Sequence, residues 1–408
     1  MNFLVVAAAW PPERQPDRLV EALVDAGDTV TVAADRSRTG RWAKVGAEVV
    51  PLARANEASP AALRRLLPGG ARAVASPAET VRISRGLLHM GSGRALAEGW
   101  FRLMPLAGRH WDRVLLPAEP DATAWLPLAR VAGRLVVVAE RLPAPTPGGG
   151  QSGNGRKGAA DALREILSAA AEVHAASPAL SDRALALGAS AARTRVVRPT
   201  VDTGRFAPRP PSDTDTDTDA DPGAGAVPPP PTPHRPLRVA ASAPFSWQGG
   251  HDYLLVAAQR AIAGGLDLHL HLVGDGADRQ RLLYTIADLG LEPNVTVHPA
   301  VDRDARRALL AAADAVVVPA VEDRPWPELL EAMAAGLTVV ASDLPAVREM
   351  VTDGVEGWLV PGRDAAALAD ALARLAADAA ARSTAGDAGR TRALRWAEAH
   401  ARPAGAAR

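Results

Sequence analysis

Two tandem α/β halves, each built on a parallel sheet with helices on both faces, are what this sequence predicts, and three observations predict them. Short apolar runs of β type alternate with helical patterns along most of the 408 residues. The alternation stops at 208–236, PRPPSDTDTDTDADPGAGAVPPPPTPHRP, which mixes an Asp/Thr repeat with a proline run and has almost no apolar side chains. It then resumes with the same rhythm to the C-terminal region. Strands alternating with helices imply parallel sheets, and a segment that cannot bury enough apolar surface to fold reads as a disordered linker.

In the first half the candidate strands are Phe3–Ala8, Thr29–Ala33, Ala73–Ala75, Arg113–Leu116, Leu135–Ala139, Val173–Ala176 and Arg195–Val197. Helical patterns fall between them, for example at Asp17–Ala26 and Gly158–Ala170. In the second half the strands are Arg238–Ala241, His269–Val273, Val295–His298, Ala315–Pro319, Val339–Ser342 and Trp358–Val360. The expected organisation is therefore a Rossmann-like domain at 1–207, the linker at 208–236, a second Rossmann-like domain at 237–383, and a terminal helix and tail at 384–408. Ligands of such folds lie at the carboxyl ends of the strands, here in a cleft between the two domains.

Composition narrows the function. Apolar residues make up 48% and charged residues 23%, ordinary for a soluble globular protein. The formal charge is zero, which gives no reason to expect a nucleic acid partner. With no cysteine there is no disulfide framework, thiol nucleophile or thiolate metal site. The apolar run in MNFLVVAAAWPPER is too short to span a bilayer and lacks a preceding basic region, so it reads as a buried first strand. A cytoplasmic protein is the expectation. Peripheral contact with the inner face of the membrane stays open through the arginine-bearing patterns at 62–67 and 82–94, for which solvated surface is the plainer reading.

The most informative stretch is 314–362, DAVVVPAVEDRPWPELLEAMAAGLTVVASDLPAVREMVTDGVEGWLVPG. Two β-type runs flank a helix that begins at Pro327, a residue suited to the first helical position. Glu328 and Glu331 fall near the first turn, at the positive end of the helix dipole. The backbone N–H groups around Glu328, Leu329 and Leu330 are expected to lack partners inside the helix and to suit phosphate oxygens. An acid one turn in can accept hydrogen bonds from sugar hydroxyls. This pattern points to a nucleotide or nucleotide sugar.

Asp323, seven intervening residues and Glu331, within D-R-P-W-P-E-L-L-E-A-M-A-A-G-L-T-V-V, resemble the E-x7-E signature of family-4 glycosyltransferases, with Asp for the first Glu. The resemblance extends back through LHLVGDGADRQRLLYTIADLGLEPNVTVH, similar to the exopolysaccharide and colanic-acid-type subgroup, and forward through TDGVEGWLVPGRDAAALADAL. It covers roughly the last third of the chain well. It implies the GT-B architecture, two Rossmann-like domains facing a cleft, with the terminal helix returning to the first. It also implies a retaining, metal-independent hexosyltransferase that uses a nucleoside diphosphate sugar, needs no cofactor, and serves a saccharide, lipid-linked or small-molecule acceptor.

On that resemblance Glu331 holds the ribose and Asp323 sits near the transferred sugar, with Glu322 beside it as a substitute. Arg324, Pro325, Trp326, Pro327, Glu328, Leu329 and Leu330 complete the donor side, and Gly274 of the GDG turn lies by the base. Trp247, Gln248, Gly249 and Gly250 form the diphosphate loop, where relatives read G-R-L-x-W-x-K-G. Here Pro244 falls where Arg is expected and Gly249 where Lys is expected, so both charges are gone. Gln248, His251 or an arginine of the first domain is left to compensate. The Gly-Gly pair after the first strand and the histidine of a middle strand are absent as well; Arg14, Arg18, Glu140 and Arg141 stand in those regions. These departures motivate a second reading, a catalytically silent relative that binds a sugar nucleotide or a partner. An epimerase of the same fold fits the A-A-G-L-T-V-V context less well. His269 and His271 share a strand face with no third ligand in view, and the DTDTDTD run has no strand or pocket around it. Neither is expected to bind metal.

Overall fold

The computed structural model describes residues 1–9, 16–35, 40–52, 106, 109–126, 134–140, 142, 154–208, 236–299, 301 and 303–400. It divides into two compact units, Met1–Val197 and Arg198–Arg408. The expected strand at 73–75, the helical patterns at 62–67 and 82–94, residues 10–15 with Arg14, Arg141, and 209–235 of the linker lie outside the described residues.

In the first unit the strands are β1 (Asn2–Val5), β2 (Thr29–Asp35), β3 (Glu48–Leu52), β4 (Arg113–Pro117), β5 (Leu135–Ala139), β6 (Glu172–Ala175) and β7 (Thr194–Val196). They form one parallel sheet in the order β3-β2-β1-β4-β5-β6-β7. Helices α1 (Asp17–Asp25), α2 (Gly40–Ala43), α3 (Asn154–Ala169) and α4 (Pro178–Ala186) lie between strands. Local chemistry explains the helix starts. Ser177 caps α4 by accepting from Leu180 N at 3.2 Å, with Pro178 just inside. β3 escapes the sequence reading because Pro51 interrupts its apolar run. It is an edge strand of the described sheet, where a missing N–H is tolerated.

In the second unit β8 (Leu237–Ser242), β9 (Leu268–Val273), β10 (Val295–His298), β11 (Ala315–Val318), β12 (Thr338–Ser342) and β13 (Gly357–Val360) form a parallel sheet in the order β10-β9-β8-β11-β12-β13. Its helices are α5 (His251–Ala263), α6 (Arg279–Asp288), α7 (Arg303–Ala312), α8 (Pro327–Ala334), α9 (Pro345–Arg348), α10 (Ala365–Ala377) and α11 (Ala379–His400). Counted from β8, this is the 3-2-1-4-5-6 order of a dinucleotide-type fold, in which the chain reverses direction across the sheet between β8 and β11. One face of the sheet packs Leu268, Leu270 and Leu272 against α5 and α10; the other packs Val316, Val318 and Val339 against α8. Burial of these apolar side chains, each worth roughly 1.5–3 kcal/mol, drives the unit together. Asp364 starts α10 by accepting from Ala366 N and Ala367 N at 2.9 and 3.0 Å.

The division falls at Val197/Arg198, ahead of the expected boundary at 207. Residues 198–206 belong with the second core. Val201 and Phe206 pack in it, Arg198 pairs with Glu349 at 3.0 Å, and Pro199 O accepts from Trp396 Nε1 at 2.9 Å. The terminal helix α11 starts at Ala379 rather than 384 and packs on α8 and β12 of its own unit.

Candidate functional site

Two loops leave the sheet at its point of reversal, one after β8 (243–250) and one after β11 (319–326). They are joined directly: Val321 N donates to Gln248 O at 2.9 Å. Gly250, at φ +71°, lies so close to Pro319 that a Cβ there would strike the Pro319 carbonyl oxygen. The turn after β9 packs against the first loop. Phe245 N donates to Asp275 O and Asp278 N to Phe245 O, both at 3.0 Å, and a Cβ on Gly274 would meet Ala243 O. The predicted segments 247–250, 274 and 322–331 are thus gathered at one end of one sheet, the end where ligands of this topology bind.

Within the β11 loop each predicted residue has a definite place. Asp323 Oδ1 accepts the Ala346 amide at 2.9 Å, so this carboxylate caps the first turn of α9. Trp326 is fully buried, and its Nε1 donates to Glu322 O at 3.4 Å. Arg324 lies over the Trp326 ring at 3.6 Å from its centroid and donates to Pro325 O. Pro327 is the first residue of α8 and Glu328 stands half-buried in its first turn. The side chains of Leu329 and Leu330 belong to the core. One expectation is corrected. The Leu329 amide is already engaged with Trp326 O at 3.0 Å, because the chain enters the helix through a tight turn around Pro327.

Glu331 is 7% exposed and forms an ion pair with Arg306 of α7, Nε to Oε2 at 2.9 Å. The arginine side chain is itself 14% exposed. Nothing in the sequence pattern singled out Arg306. The available signal was its position four residues before the buried Leu310, on the core-facing side of α7.

The β8 loop differs. Trp247 is 54% exposed while Gly249 is buried. His251, first residue of α5, is 4% exposed, packs edge-on against Phe245 at 5.2 Å, and has neither ring nitrogen hydrogen-bonded. Burial pushes its pKa down to about 4, with Asp252 opposing the shift weakly. It is neutral at pH 7, so the expectation that it can restore a missing positive charge is corrected.

A third histidine, His298 of β10, joins His269 and His271 on the sheet face. His271 Nδ1 lies 3.1 Å from His298 Nε2, and His269 Nε2 lies 2.9 Å from Thr296 Oγ1. Burial lowers the pKa of all three, that of His271 to about 4. Among the described residues no group of three or more His, Cys, Asp or Glu could hold a metal ion. No described helix is long and apolar enough to cross a membrane.

Two Rossmann-like units in tandem give the GT-B fold class. Residues 237–378 match the family model described as glycosyl transferases group 1. A phosphatidyl-myo-inositol mannosyltransferase of Mycobacterium leprae is 42% identical over 110 residues, 27% of this chain and 29% of the relative. A putative colanic acid biosynthesis glycosyltransferase, WcaL of Escherichia coli K12, is 28% identical over 194 residues, 46% of this chain and 43% of the relative. The chain therefore spans less than half the length of either. Among solved structures, Anabaena Alr3699/HepE in complex with UDP and glucose superposes with a TM-score of 0.66 at 16% identity, covering 97% of this chain and 94% of that one. That likeness concerns the fold.

Proposed function

We propose that the chain transfers a hexose, with retention of configuration and without a metal, from a nucleoside diphosphate sugar to a saccharide, lipid-linked or small-molecule acceptor in polysaccharide, cell-envelope or glycoside assembly. The observation that carries this reading is the joining of the two predicted loops at the carboxyl ends of β8 and β11, where the strand order reverses. The relatives support it by name: one is a mannosyltransferase, another a colanic acid glycosyltransferase, and the Anabaena protein binds UDP and glucose. In this reading Glu331 accepts hydrogen bonds from the ribose hydroxyls and the amides opening α8 hold the diphosphate. Asp323, with Oδ1 committed to Ala346, offers its second oxygen to a hydroxyl of the transferred sugar. Trp247 presents an exposed ring beside the donor.

A second reading has its own observation. Pro244 and Gly249 carry no charge and His251 is neutral, so the loop after β8 brings no cation to a leaving diphosphate. A loss of that kind, at roughly 3 kcal/mol for a single lost donor, would turn an enzyme into a binder. Isothermal titration with UDP, GDP and ADP, followed by release of free nucleotide from a panel of donor sugars, separates the two. The transferase reading expects turnover with at least one donor and a fall of roughly tenfold or more in nucleotide affinity for Glu331→Ala. Binding without turnover on any donor supports the binder. Turnover untouched by Glu331→Ala removes the site assignment.

A further inference from the structure

We infer that Arg306 is the positioning residue for Glu331, and that it is the cation by which this chain keeps an acidic ribose-binding group compatible with a bound diphosphate. The inference rests on the nucleotide-binding reading above.

Helices α7 and α8 precede and follow β11, and their buried sides bring Arg306 and Glu331 together at 2.9 Å. Both positions are ones an apolar residue would fill. Arg306 lies one turn before Leu310, and Glu331 is surrounded in sequence by the fully buried Leu330, Ala332, Met333 and Ala334. Replacing a buried ion pair by apolar side chains is commonly neutral or stabilising, so stability alone does not account for a charged pair at two core-facing positions. Ligand chemistry does. A carboxylate can accept at about four lone-pair sites, so a contact through Oε2 does not exhaust its capacity for ribose hydroxyls.

The charge balance points the same way. Glu322, Asp323, Glu328 and Glu331 crowd the mouth of α8, and the arginine of the loop itself, Arg324, stacks on Trp326. A diphosphate adds further negative charge, and the two family cations after β8 are missing. Through its pairing Arg306 cancels the charge of the acid one turn inside the helix while leaving it an acceptor. At 2.9 Å the ion pair also anchors the carboxylate where it stands.

The test compares each ribonucleotide with its 2′,3′-dideoxy counterpart by titration of the full chain with UDP, GDP and ADP. Wild type is expected to favour the ribonucleotide at least tenfold for the base it binds. Arg306→Met keeps the aliphatic stem and removes the pair; it is expected to bring that ratio below threefold, a change that loss of fold integrity alone would not make. Should Arg306→Met strand the carboxylate and fail to fold, the comparison moves to Glu331→Gln, where no charge is left behind. Adding Arg306→Met to that variant is expected to lower its ratio threefold or more. A ratio unchanged by removal of Arg306 in a folded protein overturns the inference and leaves the nucleotide site standing. No ribonucleotide binding by wild type overturns both.

Discussion

The loops after β8 and after β11 leave neighbouring strands at the same reversal of the sheet, yet their polar groups are handled in opposite ways. The β11 loop and the helix it opens keep their charges and tie them down: Asp323 caps α9, Arg324 lies on Trp326, and Glu331 of α8 is matched by Arg306. In the β8 loop the backbone has closed over the place where a cation would stand. A Cβ on Gly249 would lie 2.5 Å from Pro244 O and 2.9 Å from His251 Nδ1. A lysine cannot simply be returned there. The packing of this loop thus excludes a side chain at Gly249, while Asp323, Arg324 and the Glu331–Arg306 pair lie in the neighbouring loop and the helices around it.

The sharpest way to break this comparison is at the contact between the loops. Gly250→Ala forces a side chain into left-handed backbone and into Pro319 O, and is expected to cost about 4 kcal/mol or more of the second unit's stability in urea unfolding. A loss under about 1 kcal/mol would mean the loops separate easily and their joining is incidental.

Next in size is the pH dependence of the uncharged loop. His251 has a folded pKa of about 4 against an ordinary 6.5, so folding keeps it neutral. Its contribution is complete above about pH 6.5 and is lost as pH falls through 4, amounting to about 3 kcal/mol. His271 behaves in the same sense. Urea midpoints measured from pH 7.5 to 4 should fall steeply for wild type and less for His251→Phe; identical slopes would sink the burial argument.

Smallest is the capping bond of the charged loop. Asp323→Ala should cost about 1 kcal/mol, the ordinary worth of a helix-start carboxylate. If stability is untouched while nucleotide release from the donor collapses, the carboxylate serves the ligand far more than the fold.

Much of the second unit was legible in the chain itself, because its strands are continuous apolar runs buried on both faces. Ala315–Val318 and Thr338–Ser342 are the clearest cases. β3 was hidden by Pro51, since edge position cannot be read locally. The two loops of the candidate site were marked by Pro327, Glu331 and the Gly249-Gly250 pair, and the structure joins these loops by a backbone bond. What stayed out of reach depended on pairing across sequence distance. Arg306 and Glu331 are separated by a full strand and loop, His298 meets His271 only through the β9–β10 register, and the neutrality of His251 follows from burial that no spacing reveals.

The bond from Trp396 Nε1 to Pro199 O joins the opening segment of the second unit to its last helix. During synthesis, residues 198–206 leave the ribosome well before α11, one of their partners, emerges. The core around Trp326, which includes Val201, Phe206, Ala393 and Trp396, is then completed only once α11 has been made. A stalled or clipped chain lacking the final turns of α11 would expose the floor beneath the α8 mouth, even with every site residue present.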